Sequence, residues 1–132
     1  MEITNRELDN IYHALIECEN ATIKEPAGLP IVKFRYRCAK MLRQIKNSVE
    51  VFYQQKEQLQ KLHADKDESG EIIFTDKSNR FIKMSDQESF AKDYGLLCDE
   101  TCKVEPLKFK LDEIPNDVPA SFTSALFDFI EE

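Results

Sequence analysis

Six cations with no acid among them, Lys33, Arg35, Arg37, Lys40, Arg43 and Lys46, are the residues whose type and spacing point most directly to chemistry. Ammonium and guanidinium groups at this density bind carboxylate or phosphate, and Tyr36 in their midst offers a ring on which a base can stack. Three occupants are open: acids of the same chain, an acidic protein partner, or nucleic acid. Whole-chain charge weighs against the last. The 132 residues carry a formal net charge of -7 and a pI of about 4.9, and an acidic surplus repels a phosphate backbone. That acid gathers late, through Asp86, Glu88, Asp93, Asp99, Glu100, Asp112, Glu113, Asp117, Asp128, Glu131 and Glu132, so pairing within the chain is a real alternative.

Other reactive groups form weaker patterns. Cys98 and Cys102, spaced by four, would share a face if helical and offer two thiolates to zinc, but a structural site needs four ligands. His13 and His63 belong to separate elements and do not complete it. Cys38 falls within an apolar stripe and the N-terminus shows neither a basic leader nor an apolar signal core, so Cys18, Cys38, Cys98 and Cys102 are expected as reduced thiols. Gly28, Gly70 and Gly95 are too dispersed to cradle a phosphate. Neither histidine sits in a recognisable nucleophile motif. The expectation is a protein with no catalytic residue, no cofactor and no metal.

The cations are carried by a run from Leu29 to about Ala64 that reads as one amphipathic helix. Its apolar residues Ile31, Cys38, Ile45, Phe52 and Leu59 form a stripe flanked by Phe34, Met41, Leu42, Val49 and Leu62. Such a rod is about 50 Å long, more than one domain of this size needs, so Phe52, Leu59 and Leu62 at its far end are expected to need outside cover. A first helix opens on a capping box, Thr4 with Glu7, presents Leu8, Ile11, Tyr12, Leu15 and Cys18, and ends near Glu19. Pro26, Gly28 and Pro30 mark the connection between the two helices, which are expected to be antiparallel neighbours.

Beyond the rod, the charged run Asp65 to Gly70 stops the helix. Ile72 to Phe74 and Phe81 to Met84 flank Asp76, Lys77, Ser78 and Asn79 as a β-hairpin. Ser85 and Glu88 read as a second capping box, before a helix with Phe90, Tyr94 and Leu97 on its buried face. Leu107, Phe109 and Leu111 alternate with Lys108 and Lys110 as a half-buried strand, with Pro106 at its edge or beginning. Phe122, Leu126, Phe129 and Ile130 suit a short terminal helix. Phe127 lies off that face, which suggests contact with another chain.

The expected architecture is one α+β domain over residues 1–132. A helical hairpin, 1–64, pairs the long helix with the N-terminal one; residues 65–132 supply a small antiparallel sheet, hairpin plus one strand, and two further short helices. A hydrophobic content of 42% suffices for a core. No apolar run approaches the roughly 20 residues of a membrane helix.

The chain also resembles an uncharacterised family of small proteins encoded by phages and prophages of low-GC Gram-positive bacteria. The likeness runs from the first helix to the last residue. It rests on Leu29, Pro30 and Val32, then Tyr36, Ala39, Lys40 and Phe52, the run Asp65, Lys66, Asp67, Glu68 and Gly70, then Phe90, Leu96 and Leu97, and the closing Phe129, Ile130, Glu131 and Glu132. His63 and Ala64 depart from the Lys and Tyr usual there, and Cys98 and Cys102 are additions. The resemblance implies a phage origin, with the bacterial host's cytoplasm or the virion as location, and supplies no active site.

Two functional classes follow as expectations. One is a non-catalytic phage accessory protein acting through protein–protein contacts, as a virion or assembly component. The other is a small acidic inhibitor of a host enzyme or defence complex that mimics nucleic acid. The residues expected to bind a protein partner or a second copy are Lys33, Arg35, Arg37, Lys40, Arg43, Lys46, Phe52, Leu59, Leu62 and Phe127, with nucleic acid disfavoured and no membrane involved.

Overall fold

Thr4 and Glu7 form the reciprocal cap their spacing predicts. In the computed structural model, which describes residues 1–21, 29–105 and 107–131, the Glu7 amide donates to Thr4 Oγ1 at 3.2 Å and the Thr4 amide to Glu7 Oε1 at 3.5 Å. Two amides at the helix start thereby gain partners. Helix α1 (Asn5–Asn20) follows and buries Leu8, Ile11, Ala14, Leu15 and Cys18 at helical spacing. The three residues ahead of it, Glu2–Thr4, are strand β1. The connection containing Pro26 and Gly28 lies outside the described residues, as do Pro106 and Glu132. Helix α2 (Leu29–His63) has the predicted length, 35 residues, and stops where the charged run begins.

The chain divides into two compact units, residues 1–49 with 101–132, and residues 50–100; α2 runs through both. In the first, Phe34, Cys38, Met41, Ile45 and Val49 form the buried stripe of α2. Cys18, late in α1, meets Cys38, early in α2. β1, ahead of α1, pairs antiparallel with β2 (Thr101–Lys103), whose Cys102 hydrogen-bonds Ser48 farther along α2. The helices therefore run in opposite senses. The register sets Ile3 opposite Cys102, and the Val104 amide extends the pairing to the Met1 carbonyl at 2.8 Å. Phe34 packs between Phe122, edge-on at 5.2 Å, and Phe109 at 6.1 Å. Each such ring contributes about 1.5–3 kcal/mol through burial.

Two expectations for this unit are corrected. The predicted strand at Leu107–Leu111 shrinks to β3 (Phe109–Lys110) and does not join a hairpin. It pairs in parallel with β4 (Ile130–Glu131), with α4 (Ala120–Ala125) in the crossover between them. The predicted terminal helix also breaks: after α4 the chain tightens into a 3-10 turn, Phe127–Phe129, and then extends as β4. Phe122, Leu126 and Phe129 are nonetheless all buried, because the 3-10 turn still delivers Phe129 inward while freeing the backbone of Ile130 and Glu131 to pair with β3. Among the described residues, the expected three-stranded antiparallel sheet is thus replaced by two sheets of two strands, one antiparallel and one parallel.

In the second unit, the predicted hairpin is reduced to one isolated antiparallel bridge, Phe74 with Ile82, and a separate, unpredicted bridge joins Lys66 to Ile72. Carboxylates hold its turns. Asp67 Oδ1 accepts from the amides of Ser69 and Glu71 at 2.9 and 3.0 Å, and Asp76 Oδ1 from those of Arg80 and Phe81 at 3.0 Å each. Gly70 adopts φ +83°, a left-handed conformation that strains any residue with a Cβ. Backbone bonds from the Thr75 amide to the Phe81 carbonyl and from the Lys83 amide to the Ile73 carbonyl, each 2.8 Å, tie the flanking segments together.

The second capping box is also corrected. Ser85 donates through both its amide and its hydroxyl to Asp65. The N-cap of α3 (Gln87–Asp99) is instead Asp86, which accepts from the Ser89 amide at 3.1 Å. On α3, Phe90 and Tyr94 stack at 5.6 Å, Phe52 of α2 lies 6.2 Å from Tyr94, and Lys56 sits 5.3 Å above the Tyr94 ring. His63 Nε2 lies 2.7 Å from Asp93 Oδ2 and meets the Phe90 ring edge-on.

Candidate functional site

The buried stripe of α2 determines what its other side displays. With Phe34, Cys38, Met41 and Ile45 directed inward, the residues half a turn away, Val32, Tyr36, Ala39 and Arg43, must point outward. All four are exposed, Val32 at 60% and Tyr36 at 65%. Lys33 and Lys40 border this stripe on one side, Arg35 and Lys46 on the other, and all four are exposed. The result is a strip about four turns long with an apolar–aromatic midline and cationic edges. Like charges three or four residues apart on a helix repel, each pair by about 0.2–0.5 kcal/mol. Lys40 with Arg43, and Arg43 with Lys46, have that spacing.

Arg37 stands apart. It turns to the flank, half-buried, and its Nη1 forms an ion pair with Glu113 in the 3-10 turn Leu111–Glu113 that follows β3. Internal pairing with the acidic C-terminal third thus accounts for one of the six cations among the described residues. In the sequence Arg35 and Arg37 both flank the apolar stripe, so what separates Arg37 is its distant partner Glu113.

The apolar candidates separate in the same way. Phe52 is buried, 3% exposed, beside Tyr94. Leu59 is half-buried and Leu62 is 67% exposed. Together with Gln55, Gln58, Lys61 and Lys66 they line a shallow cleft of about 430 Å³. Phe127, in the 3-10 turn of the first unit, is 72% exposed. Val32 lies outside the expected binding set, although its i, i+4 relation to Tyr36, off the core stripe, places it on the same exposed face.

The groups considered for metal or catalytic chemistry are dispersed. Helix α3 ends at Asp99, so Cys98 belongs to α3, where it is buried, and Cys102 to β2, where it is half-buried. Burial raises the Cys102 thiol pKa, and a hydrogen bond from Ser48 opposes the shift. Among the described residues, no group of three or more His, Cys, Asp or Glu is arranged to hold a metal ion. His13 pairs with Asp9 at 3.2 Å, one turn away, and His63 with Asp93. No helix among the described residues is long and apolar enough to cross a membrane.

Among the described residues the fold is of a mixed class, a long helix packed against an N-terminal one, with further helices and two minimal sheets. No protein-family model, curated protein or solved structure matches the chain.

Proposed function

We propose that this is a non-catalytic protein-binding protein, a phage accessory factor that docks an acidic protein surface on the outer face of α2. The observation that carries the reading is the coincidence on one strip of exposed Val32 and Tyr36 with Lys33, Arg35, Lys40, Arg43 and Lys46, and no acid. Aromatic and arginine side chains are the usual anchors of protein interfaces, and cationic edges steer an acidic partner into register. An acidic partner also relieves the repulsion among the strip's own cations. The net charge of -7 leaves the rest of the chain strongly acidic, so a second copy is one source of such a surface. The likeness to phage-encoded proteins and the absence of a catalytic motif support the accessory role.

The test compares the wild-type chain with Tyr36→Ala/Lys40→Glu/Arg43→Glu as baits in host lysate, with light scattering on both. The expected result is a partner, or a self-associated species, lost in the triple variant and weakened in high salt. Identical partners for both baits would remove the strip from consideration. Salt-sensitive retention of oligonucleotides through the same three residues would favour a nucleic-acid ligand. A basic host enzyme captured equally by both baits would favour the acidic-inhibitor reading.

A further inference from the structure

The thiols of Cys18 on α1 and Cys38 on α2 face each other across the helix contact and hydrogen-bond to one another. Both are reduced and buried. Both nevertheless line a cleft of about 340 Å³, whose rim includes the exposed residues Glu19, Arg35 and Ala39. Hydrogen-bonded thiols are near neighbours, and a disulfide between them requires the sulfurs to close to about 2.05 Å with a Cβ–S–S–Cβ dihedral of roughly ±90°. From this geometry we propose that Cys18 and Cys38 are a reversible dithiol–disulfide couple, oxidised by a low-molecular-weight disulfide that enters this cleft.

The two thiols are not equivalent. Cys38 donates the hydrogen bond and is pushed well above the ordinary thiol range, by that bond first and by burial second. Cys18 accepts it, and its pKa is lowered by that bond against burial, with the Arg35 guanidinium adding to the lowering and Glu17 and Asp117 opposing it. Cys18 is therefore the attacking sulfur and Cys38 the resolving one. The Cys18 thiolate attacks one sulfur of the small disulfide. That S–S bond breaks, a protein–small-molecule mixed disulfide forms, and the departing thiolate takes up the proton Cys18 gave up. Cys38 then attacks the Cys18 sulfur and releases the second small thiol with its own proton. Two electrons pass from the protein to the small disulfide, and excess small thiol reverses both steps. The cross-link ties α1 to α2 and closes the chain segment between them, which constrains the unfolded state.

Wild-type protein is equilibrated with graded ratios of oxidised to reduced glutathione, free thiols are alkylated in denaturant, and peptides are mapped by mass. The expected result is joint loss of two of the four thiols as a Cys18–Cys38 cross-link, recovered on returning to reduced glutathione. In Cys38→Ser, one thiol is lost and Cys18 is trapped as the glutathione adduct. Full alkylation of Cys18 and Cys38 under oxidising conditions, a cross-link through Cys102, or a glutathione adduct that persists on wild-type Cys18 would each overturn the proposal. The wild-type map decides the matter even if the variant does not fold.

Discussion

Arg37 and Glu113 form an ion pair across 76 residues of sequence, joining α2 to the 3-10 turn after β3. Both side chains are half-buried, so water screens the pair less than a surface pair. Substituting Arg37 or Glu113 by Ala is expected to lower unfolding free energy by about 1–2 kcal/mol, with a double-mutant coupling of about 1 kcal/mol that shrinks in high salt. Urea titrations of the two single variants and the double variant measure it. A coupling of zero would mean the pair contributes nothing.

Two phenylalanines five residues apart should behave oppositely. Phe122 is fully buried against Phe34 and Phe109, so Phe122→Ala is expected to cost about 3–5 kcal/mol. Phe127 is largely exposed, and Phe127→Ala should stay within about 0.5 kcal/mol. Similar losses at both positions, read by chemical unfolding, would contradict the burial pattern.

Asp65 gives a pH prediction. The Ser85 hydroxyl first and the Ser85 amide second hold its carboxyl below the ordinary range, with Lys83 adding and desolvation opposing. A depressed folded-state pKa contributes stability above the unfolded carboxyl value, about 3.9, and loses it as pH falls through the folded value. NMR titration should find Asp65 among the more acidic carboxyls, and Ser85→Ala should move it back up. If Ser85→Ala leaves the titration unchanged, the hydrogen bonds are not its cause.

The two possible caps of α3 make different predictions. Asp86→Ala should speed hydrogen exchange at the Ser89 amide, which Asp86 accepts. Glu88→Ala should leave that amide unchanged. Protection of the Glu88 amide that is lost in Ser85→Ala, with the Ser89 amide unchanged in Asp86→Ala, would restore the Ser85–Glu88 box.

The helices were legible because their signals are local. The Thr4–Glu7 box sits at the observed start of α1, and the stripe through Phe34, Cys38 and Ile45 predicts both the length of α2 and its buried side. Errors arose where a distant partner competed. Ser85 matches a cap by spacing, yet Asp65 engages it from twenty residues earlier. Phe109 alternates as a strand should, but no local pattern could say that its partner is Ile130, in parallel. β1 is too short to show alternation. The cationic strip was visible residue by residue, while the separation of Arg37 from it depended on Glu113, and the meeting of Cys18 with Cys38 depended on the helix register.

The interleaving of the two units has a consequence for biosynthesis. Residues 50–100 are contiguous, so that unit is complete once they have left the ribosome. The other unit needs β2, β3, α4 and β4, all encoded after residue 100, to meet β1 and the front half of α2. Until then Phe34 lacks Phe109 and Phe122, and an unpartnered apolar seam is prone to aggregation. The first residues synthesised are thus among the last to find their native neighbours, and non-local pairing of this kind slows folding.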